Sequence, residues 1–172
     1  VAANAAGSVL LGARRLEEAR SRFAVAVQQA PAVAEYSFNL GRTQLALDDR
    51  PAALQSFLQT VASRPDWLEA NVAVVRLALA RGDRLRAASV ANSLAERLPR
   101  SAVAWLLVGE TAAADRRLED ASRAFAKSYA LQPSAAAALN DNQARALGGL
   151  ARPDLPLLNW LQREPGDAVA RR

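Results

Sequence analysis

The strongest constraint on the fold of this chain is a proline that returns at a fixed interval. Pro31, Pro65, Pro99 and Pro133 are each 34 residues apart, and Pro165 follows after 32. A period of roughly 20–50 residues is typical of repeat architectures, in which each unit packs only on its neighbours. The 172 residues are therefore expected to form about five copies of one structural unit.

Small and aromatic residues keep the same interval. Each type holds one phase of the repeat: Gly7, Gly41 and Gly109; Ala19, Ala53, Ala87 and Ala121; Phe23, Phe57 and Phe125. The third unit departs from the pattern, with Val75 in the glycine position and Ala91 in the phenylalanine position. The segments 14–31 and 116–133, three periods apart, match at many positions. The repeat therefore involves several independent positions as well as the proline.

Each period predicts two amphipathic helices. The first is expected over about 3–12, 33–47, 67–81, 102–115 and 135–148, and the second over about 15–30, 51–63, 84–97, 118–131 and 154–164. Asp48 or Asp49 is placed to cap one second helix, with Pro51 in its first turn, and Asp83 to cap the next. Each proline ends a unit because the residue before a proline is disfavoured in the helical conformation.

Composition favours helix packed on helix and excludes several kinds of chemistry. Apolar residues make up 51% of the chain but aromatic residues only 5%, so a core must form by close approach of small side chains. Cysteine and histidine are absent, which removes disulfides, thiolate catalysis, histidine acid–base chemistry and the usual zinc ligand sets. We expect no cofactor, no metal, no catalytic residue and no small-molecule substrate. No apolar run approaches the ~20 residues that span a membrane.

The charge of the chain is mildly basic and evenly spread. The net charge is +5, and Lys127 is the single lysine among 22 basic residues. Proteins that bind nucleic acids usually cluster their positive charge on one face. The even spread therefore argues against a nucleic-acid partner.

The repeated unit resembles the tetratricopeptide repeat (TPR), a 34-residue helix–turn–helix with tryptophan, leucine-glycine, alanine, phenylalanine and proline at fixed offsets. The fourth unit shows most of this pattern: Trp105, Val108 and Gly109, Ala121, Phe125 and Pro133. The resemblance implies an all-α, right-handed α-solenoid of about five TPR units. The units are expected over residues 1–33, 34–67, 68–101, 102–135 and 136–166, with 167–172 starting a further unit.

The resemblance also bears on the ends and the surroundings of the chain. The fifth unit is two residues short, with Gln143 in the glycine position, and its second helix carries an apolar face with Leu158 and Trp160. Because the chain starts at Val1 rather than methionine, we expect a piece of a longer bacterial array whose uncovered terminal helices could self-associate. Large bacterial TPR proteins often serve envelope, secretion or exopolysaccharide machinery, including the lipoproteins of PEP-CTERM export systems. The sequence does not determine the compartment, and the cell envelope or periplasm is favoured over the cytoplasm.

In TPR proteins the first helices of the units line a concave groove that binds an extended peptide or a partner helix. Projected onto this chain by repeat phase, the groove residues are Asn4, Ser8, Glu35, Phe38, Asn39, Arg42, Glu69, Val72, Arg76, Leu106, Glu110, Asn140 and Asp141. The same resemblance implies that Gly41 lies where two helices of one unit cross closely, together with Ala53. A protein or peptide is therefore the expected partner.

Two pairs of charges stand out in this set. Glu35 and Glu69 are one repeat apart, as are Arg42 and Arg76, and within each helix glutamate and arginine are seven residues apart on one face. On the functional interpretation, the arginines bind a carboxylate or backbone carbonyls, Asn39 bonds a peptide backbone and Phe38 supplies an apolar pocket. On the alternative, the charges pair between neighbouring repeats and keep the face hydrated.

These observations predict a protein–protein interaction or assembly scaffold that performs no chemistry. Trp67 and Trp105 are expected in the core, because they lie at the starts of packed helices. Two other functions stay open. One is a surface that binds an anionic polymer, polysaccharide or nucleic acid, through the spread arginines. The other is the substrate-recognition segment of a larger enzyme.

Overall fold

The computed structural model describes residues 2–167, and this part of the chain consists of ten α-helices without a β-strand. The helices are α1 (Ala2–Gly12), α2 (Leu16–Gln29), α3 (Ala34–Ala46), α4 (Arg50–Ser63), α5 (Leu68–Ala80), α6 (Arg84–Arg97), α7 (Ala102–Ala114), α8 (Leu118–Leu131), α9 (Ala135–Leu147) and α10 (Leu155–Arg163). Every predicted helix is present, and each predicted end lies within one residue of the observed end. The predicted start of a sixth unit lies almost entirely outside the described residues.

The helices form two compact bodies, Val1–Ala78 and Leu79–Arg172, here called the N-terminal and the C-terminal body. In the N-terminal body α1 packs on α2, α2 on α3 and α3 on α4. In the C-terminal body α6 packs on α7, α7 on α8, α8 on α9 and α9 on α10. The helices of these pairs thus pack mainly on their sequence neighbours, as expected of a repeat architecture.

The predicted helix ends before the prolines and the predicted aspartate N-caps are both confirmed. Each second helix ends two residues before its proline, as α4 ends at Ser63 before Pro65. The residue between them, Arg64, has left the helical conformation (φ −138°, ψ 88°) and still donates its N–H to the carbonyl of Thr60. At the start of α4, the side chain of Asp49 accepts a hydrogen bond from the amide of Ala52, and Asp83 does the same for α6.

The turn between the two helices of a unit has a repeated conformation that the sequence does not reveal. Arg14, Asp48, Gly82 and Arg116 are 34 residues apart, and their φ angles are +58°, +59°, +76° and +60°. Only one of the four is a glycine, although the left-handed region costs other residues about 1–2 kcal/mol. The repeat geometry therefore imposes a strained backbone at three of these turns.

The repeat glycines are sites of close helix contact, as predicted. A Cβ atom on Gly41 of α3 would lie 2.9 Å from Cε1 of Phe57 on α4, and one on Gly109 of α7 would lie 2.3 Å from Cε1 of Phe125 on α8. Both phenylalanines and Ala53 are buried. The glycine thus makes room for the phenylalanine ring of the second helix, which explains why the two residues recur together.

The helix α10 is the least buried element of the C-terminal body. None of its residues is buried, and Leu155 and Leu158 are 37% and 44% exposed. Self-association through such an apolar end helix stays a prediction.

Candidate functional site

The N-terminal body carries an open cleft of about 530 Å³ between α3 and α5, here called the α3–α5 cleft. Its lining comprises Phe38, Arg42, Leu45, Phe57, Trp67, Glu69 and Ala73. Three of the predicted groove residues, Phe38, Arg42 and Glu69, therefore line one cavity. This arrangement follows from the fold, because the first helices of consecutive units lie beside each other above the phenylalanine of the second helix.

Three aromatic rings form one wall of this cleft. The rings of Phe38 and Trp67 are stacked, with centroids 4.5 Å apart and planes at 25°. Phe57 meets Phe38 edge-on, with centroids 5.7 Å apart. The prediction that Trp67 belongs to the core is wrong: the indole is half-buried and contributes to the cleft. Stacked and edge-on aromatic pairs stabilise each other by about 0.5–1.5 kcal/mol beyond burial, so the contacts favour this arrangement of the rings.

The indole of Trp67 contacts an arginine that is itself ion-paired with a glutamate. The guanidinium carbon of Arg64 lies 4.5 Å from the Trp67 ring centroid, and Arg64 is also ion-paired with Glu35. The pKa of Glu35 is lowered, first by a hydrogen bond from its own backbone amide and then by Arg64, against the opposing effect of desolvation. Glu35 therefore pairs inside its own repeat, and it does not line the cleft.

Two charges on the cleft itself are differently placed. Arg42 is exposed on α3, with its guanidinium carbon 6.0 Å from the Phe38 ring centroid. Glu69 is exposed in the first turn of α5. Within residues 2–167 neither side chain forms an ion pair, with each other or with another residue. Both charges are thus available to a ligand in the cleft.

The predicted asparagines of the N-terminal body contact each other. The Asn39 side-chain amide donates to Oδ1 of Asn4 at 3.0 Å, which joins α3 to α1 across consecutive repeats. Of the other predicted positions on α5, Val72 is half-buried and Arg76 is exposed, and neither lines the α3–α5 cleft. The structure thus places the Arg42 and Arg76 pair in different surroundings.

The C-terminal body has its own cleft of about 370 Å³ between α7 and α9. The predicted residues Glu110 and Asn140 line it, above the ring of Phe125 and beside Arg116 and Leu147. Leu106 is half-buried and packs against the core around Phe125. This α7–α9 cleft occupies the same place in its repeat as the α3–α5 cleft, because Phe57 and Phe125 are two periods apart.

Two further predictions are wrong in the C-terminal body. Asp141 was placed in the groove, but it is 4% exposed, and its Oδ1 accepts hydrogen bonds from Ser122 (2.5 Å) and Arg145 (3.0 Å). Its neighbour Asn140 faces the cleft, and consecutive helical residues point about 100° apart, so helical phase could have separated the two. Trp105 is half-buried rather than core, and Lys127 lies 3.6 Å from its ring centroid.

Residues 2–167 contain no cluster of acidic side chains that could hold a metal ion. Over the same range, no helix is both long enough and apolar enough to cross a membrane.

No protein-family model matches the sequence, and no curated protein sequence matches it significantly. The structure is similar to solved TPR structures. YrrB, described as a TPR protein with an unusual peptide-binding site, is 16% identical with a TM-score of 0.79, covering 98% of this chain and 88% of its own. A TPR protein from Parabacteroides merdae ATCC 43184 is 17% identical with a TM-score of 0.82, covering 98% and 68%. Residues 41 to the end of MamA from Desulfovibrio magneticus RS-1 are 17% identical with a TM-score of 0.81, covering 96% and 95%.

These likenesses show the fold. The chain has the all-α solenoid fold of TPR proteins, as the phased prolines, glycines and phenylalanines predicted.

Proposed function

We propose that this chain is a protein–protein interaction scaffold without chemistry of its own, which binds an extended peptide or a partner helix along its first helices. The α3–α5 cleft is the principal site. The observation that carries the proposal is an apolar lining of half-buried Phe38 and Trp67 and exposed Leu45, beside two charges without an ion-pair partner.

Burial of an apolar side chain supplies the main driving force in this proposal. A leucine or phenylalanine of the partner that enters the cleft gains about 1.5–3 kcal/mol from burial. The wall is already ordered by the Phe38–Trp67 stack and by Arg64. Since the scaffold is preformed, most of the ordering cost falls on the partner. Asn39 adds hydrogen-bonding capacity for a peptide backbone on the same helix.

The similarity to YrrB, whose description names a peptide-binding site, supports this function by analogy of fold. Binding of an anionic polymer is less well supported, because nine arginines of the described residues are already ion-paired. These are Arg15, Arg20, Arg50, Arg64, Arg86, Arg117, Arg123, Arg145 and Arg152. Polyanion binding would also weaken steeply with salt, whereas burial of an apolar side chain does not.

The experiment is selection from a random peptide library displayed on phage, followed by titration of the selected peptides. Trp105→Phe and Trp160→Phe leave Trp67 as the sole tryptophan, so its fluorescence reports on the α3–α5 cleft. Leu45→Glu is the test variant, because Leu45 is 38% exposed on the cleft wall and the change should not disturb folding. Val9→Glu is the matched control, since Val9 is 74% exposed outside the cleft.

We expect the selected peptides to share a large apolar residue and to change the Trp67 emission on binding. Leu45→Glu should weaken this binding at least about tenfold, by removing the apolar contact and placing a charge there, while Val9→Glu should leave it unchanged. Failure to enrich any peptide would contradict the proposal, as would equal affinity of the Leu45→Glu variant and the parent.

A further inference from the structure

We infer that the α3–α5 cleft selects a ligand of mixed charge, in which an apolar side chain is flanked by a carboxylate on one side and a cation on the other. The inference rests on the proposed function and specifies the chemistry of its ligand. It is carried by the placement of Arg42 and Glu69, which line the same cleft from different helices.

Opposite charges at a protein surface normally pair when they can reach each other. Here Arg42 and Glu69 share a cleft but do not contact each other, although eight arginines of the described residues form ion pairs with acidic residues close in sequence. Glu69 lies in the first turn of α5, whereas Arg42 has the repeat phase of Arg76, about two helical turns further along, so the two charges lie at different levels of the cleft. A ligand whose apolar group fills this space would therefore meet a cation at one rim and a carboxylate at the other.

The arginine that lies over Trp67 does not disturb this pattern. Arg64 is ion-paired with Glu35 and lies over Trp67, so it is already engaged within the protein. Glu69 is held near the cleft because the first turn of a helix favours a carboxylate. Arg42 is kept near it by the face of Phe38. Arg42 and Glu69 are thus the two charged side chains that line the cleft itself.

The placement of one positive and one negative charge also predicts which ligands the cleft binds weakly. A ligand with carboxylates on both sides of its apolar group meets Glu69, and one with cations on both sides meets Arg42. Like charges across an interface suppress binding of the wrong partner and fix its register. Selectivity by charge therefore predicts a reciprocal response when either residue is reversed.

The test uses four short fluorescein-labelled peptides with a central leucine. Two are mixed, with aspartates on one side and lysines on the other in either order, one carries only aspartates and one only lysines. Affinities are measured by fluorescence anisotropy for the unaltered chain, Arg42→Glu and Glu69→Arg. Arg100→Glu and Glu119→Arg are controls, because they change the net charge equally at exposed positions of the C-terminal body.

The unaltered chain should bind at least one mixed peptide about threefold to tenfold more tightly than either single-sign peptide, as expected for exposed charge pairs. Arg42→Glu should shift the preference to the all-lysine peptide and Glu69→Arg to the all-aspartate peptide, while both controls keep the original ranking. Equal binding of all four peptides would overturn this inference and leave the proposed function intact. Equal shifts in the controls would also overturn it, and binding to none would overturn the proposed function as well.

Discussion

The variant Gly109→Ala tests whether the repeat glycine is kept for helix contact. A methyl group on Gly109 would lie 2.3 Å from Cε1 and 2.4 Å from Cδ1 of Phe125, far inside normal contact distance. The Phe125 ring is 2% exposed and packs against Ala112, Ala121 and Ala144, so it has little room to move except toward the α7–α9 cleft that it lines. Alanine gains about 1 kcal/mol over glycine in helix propensity, whereas overpacking a core costs about 1–3 kcal/mol.

Because the approach is so short, we expect the upper end of that cost and a net loss of about 2 kcal/mol in the free energy of unfolding. Urea unfolding followed by circular dichroism measures it. Gly41→Ala, with a longer approach of 2.9 Å, should lose less, and Gly12→Ala, with nothing within 4 Å, should lose nothing from overpacking.

The double variant Gly109→Ala/Phe125→Leu closes a mutant cycle on this contact. Truncating the ring relieves the overlap, so the two changes should couple by about 1 kcal/mol or more. A Gly109→Ala variant as stable as the unaltered chain, or no coupling in the cycle, would refute the argument from close contact.

Three smaller effects follow from the turns, caps and charges. Arg116→Gly should raise the midpoint of thermal unfolding. It removes about 1–2 kcal/mol of backbone strain at a φ of +60°, which exceeds the extra conformational entropy that a glycine loses on folding. Gly82→Ala should lower the midpoint, because it introduces the same strain. Asp49→Ala removes the cap of α4 and should lower the free energy of unfolding in urea by about 1 kcal/mol. Because the pKa of Glu35 is lowered in the folded protein, its carboxylate stabilises the fold above the unfolded pKa near 4.5. This stabilisation is lost as the pH falls through the pKa of the folded state. Below pH 4.5, the free energy of unfolding of Glu35→Gln should therefore fall less with pH than that of the unaltered chain.

The fold could be predicted because its determinants are local and repeated. Pro65 ends its unit through its steric effect on the preceding residue. Asp49 caps α4 by accepting a hydrogen bond from the amide of Ala52, three residues later. Neither depends on distant parts of the chain. The resemblance to the TPR also identified Gly41 as a contact residue, and the structure confirms it.

The candidate site could be predicted only in part. Phase placed Phe38, Arg42 and Glu69 on first helices, and the structure brings all three to one cleft. Repeat phase did not identify Trp67 as a residue of the cleft. Trp67 precedes α5 by one residue and stacks on Phe38 only when α3 and α5 lie side by side. The pairing of Glu35 with Arg64 likewise depends on side-chain conformations at the end of α4, which repeat phase does not determine.

Amide NMR spectra recorded during titration with the tightest selected peptide show directly whether the ligand binds in the α3–α5 cleft. We expect the largest shifts at the indole N–H of Trp67 and at the backbone amides of Phe38, Leu45 and Ala73, which line the α3–α5 cleft. Shifts confined to the α7–α9 cleft or to the outer surface of α4, with the Trp67 indole unchanged, would contradict this expectation.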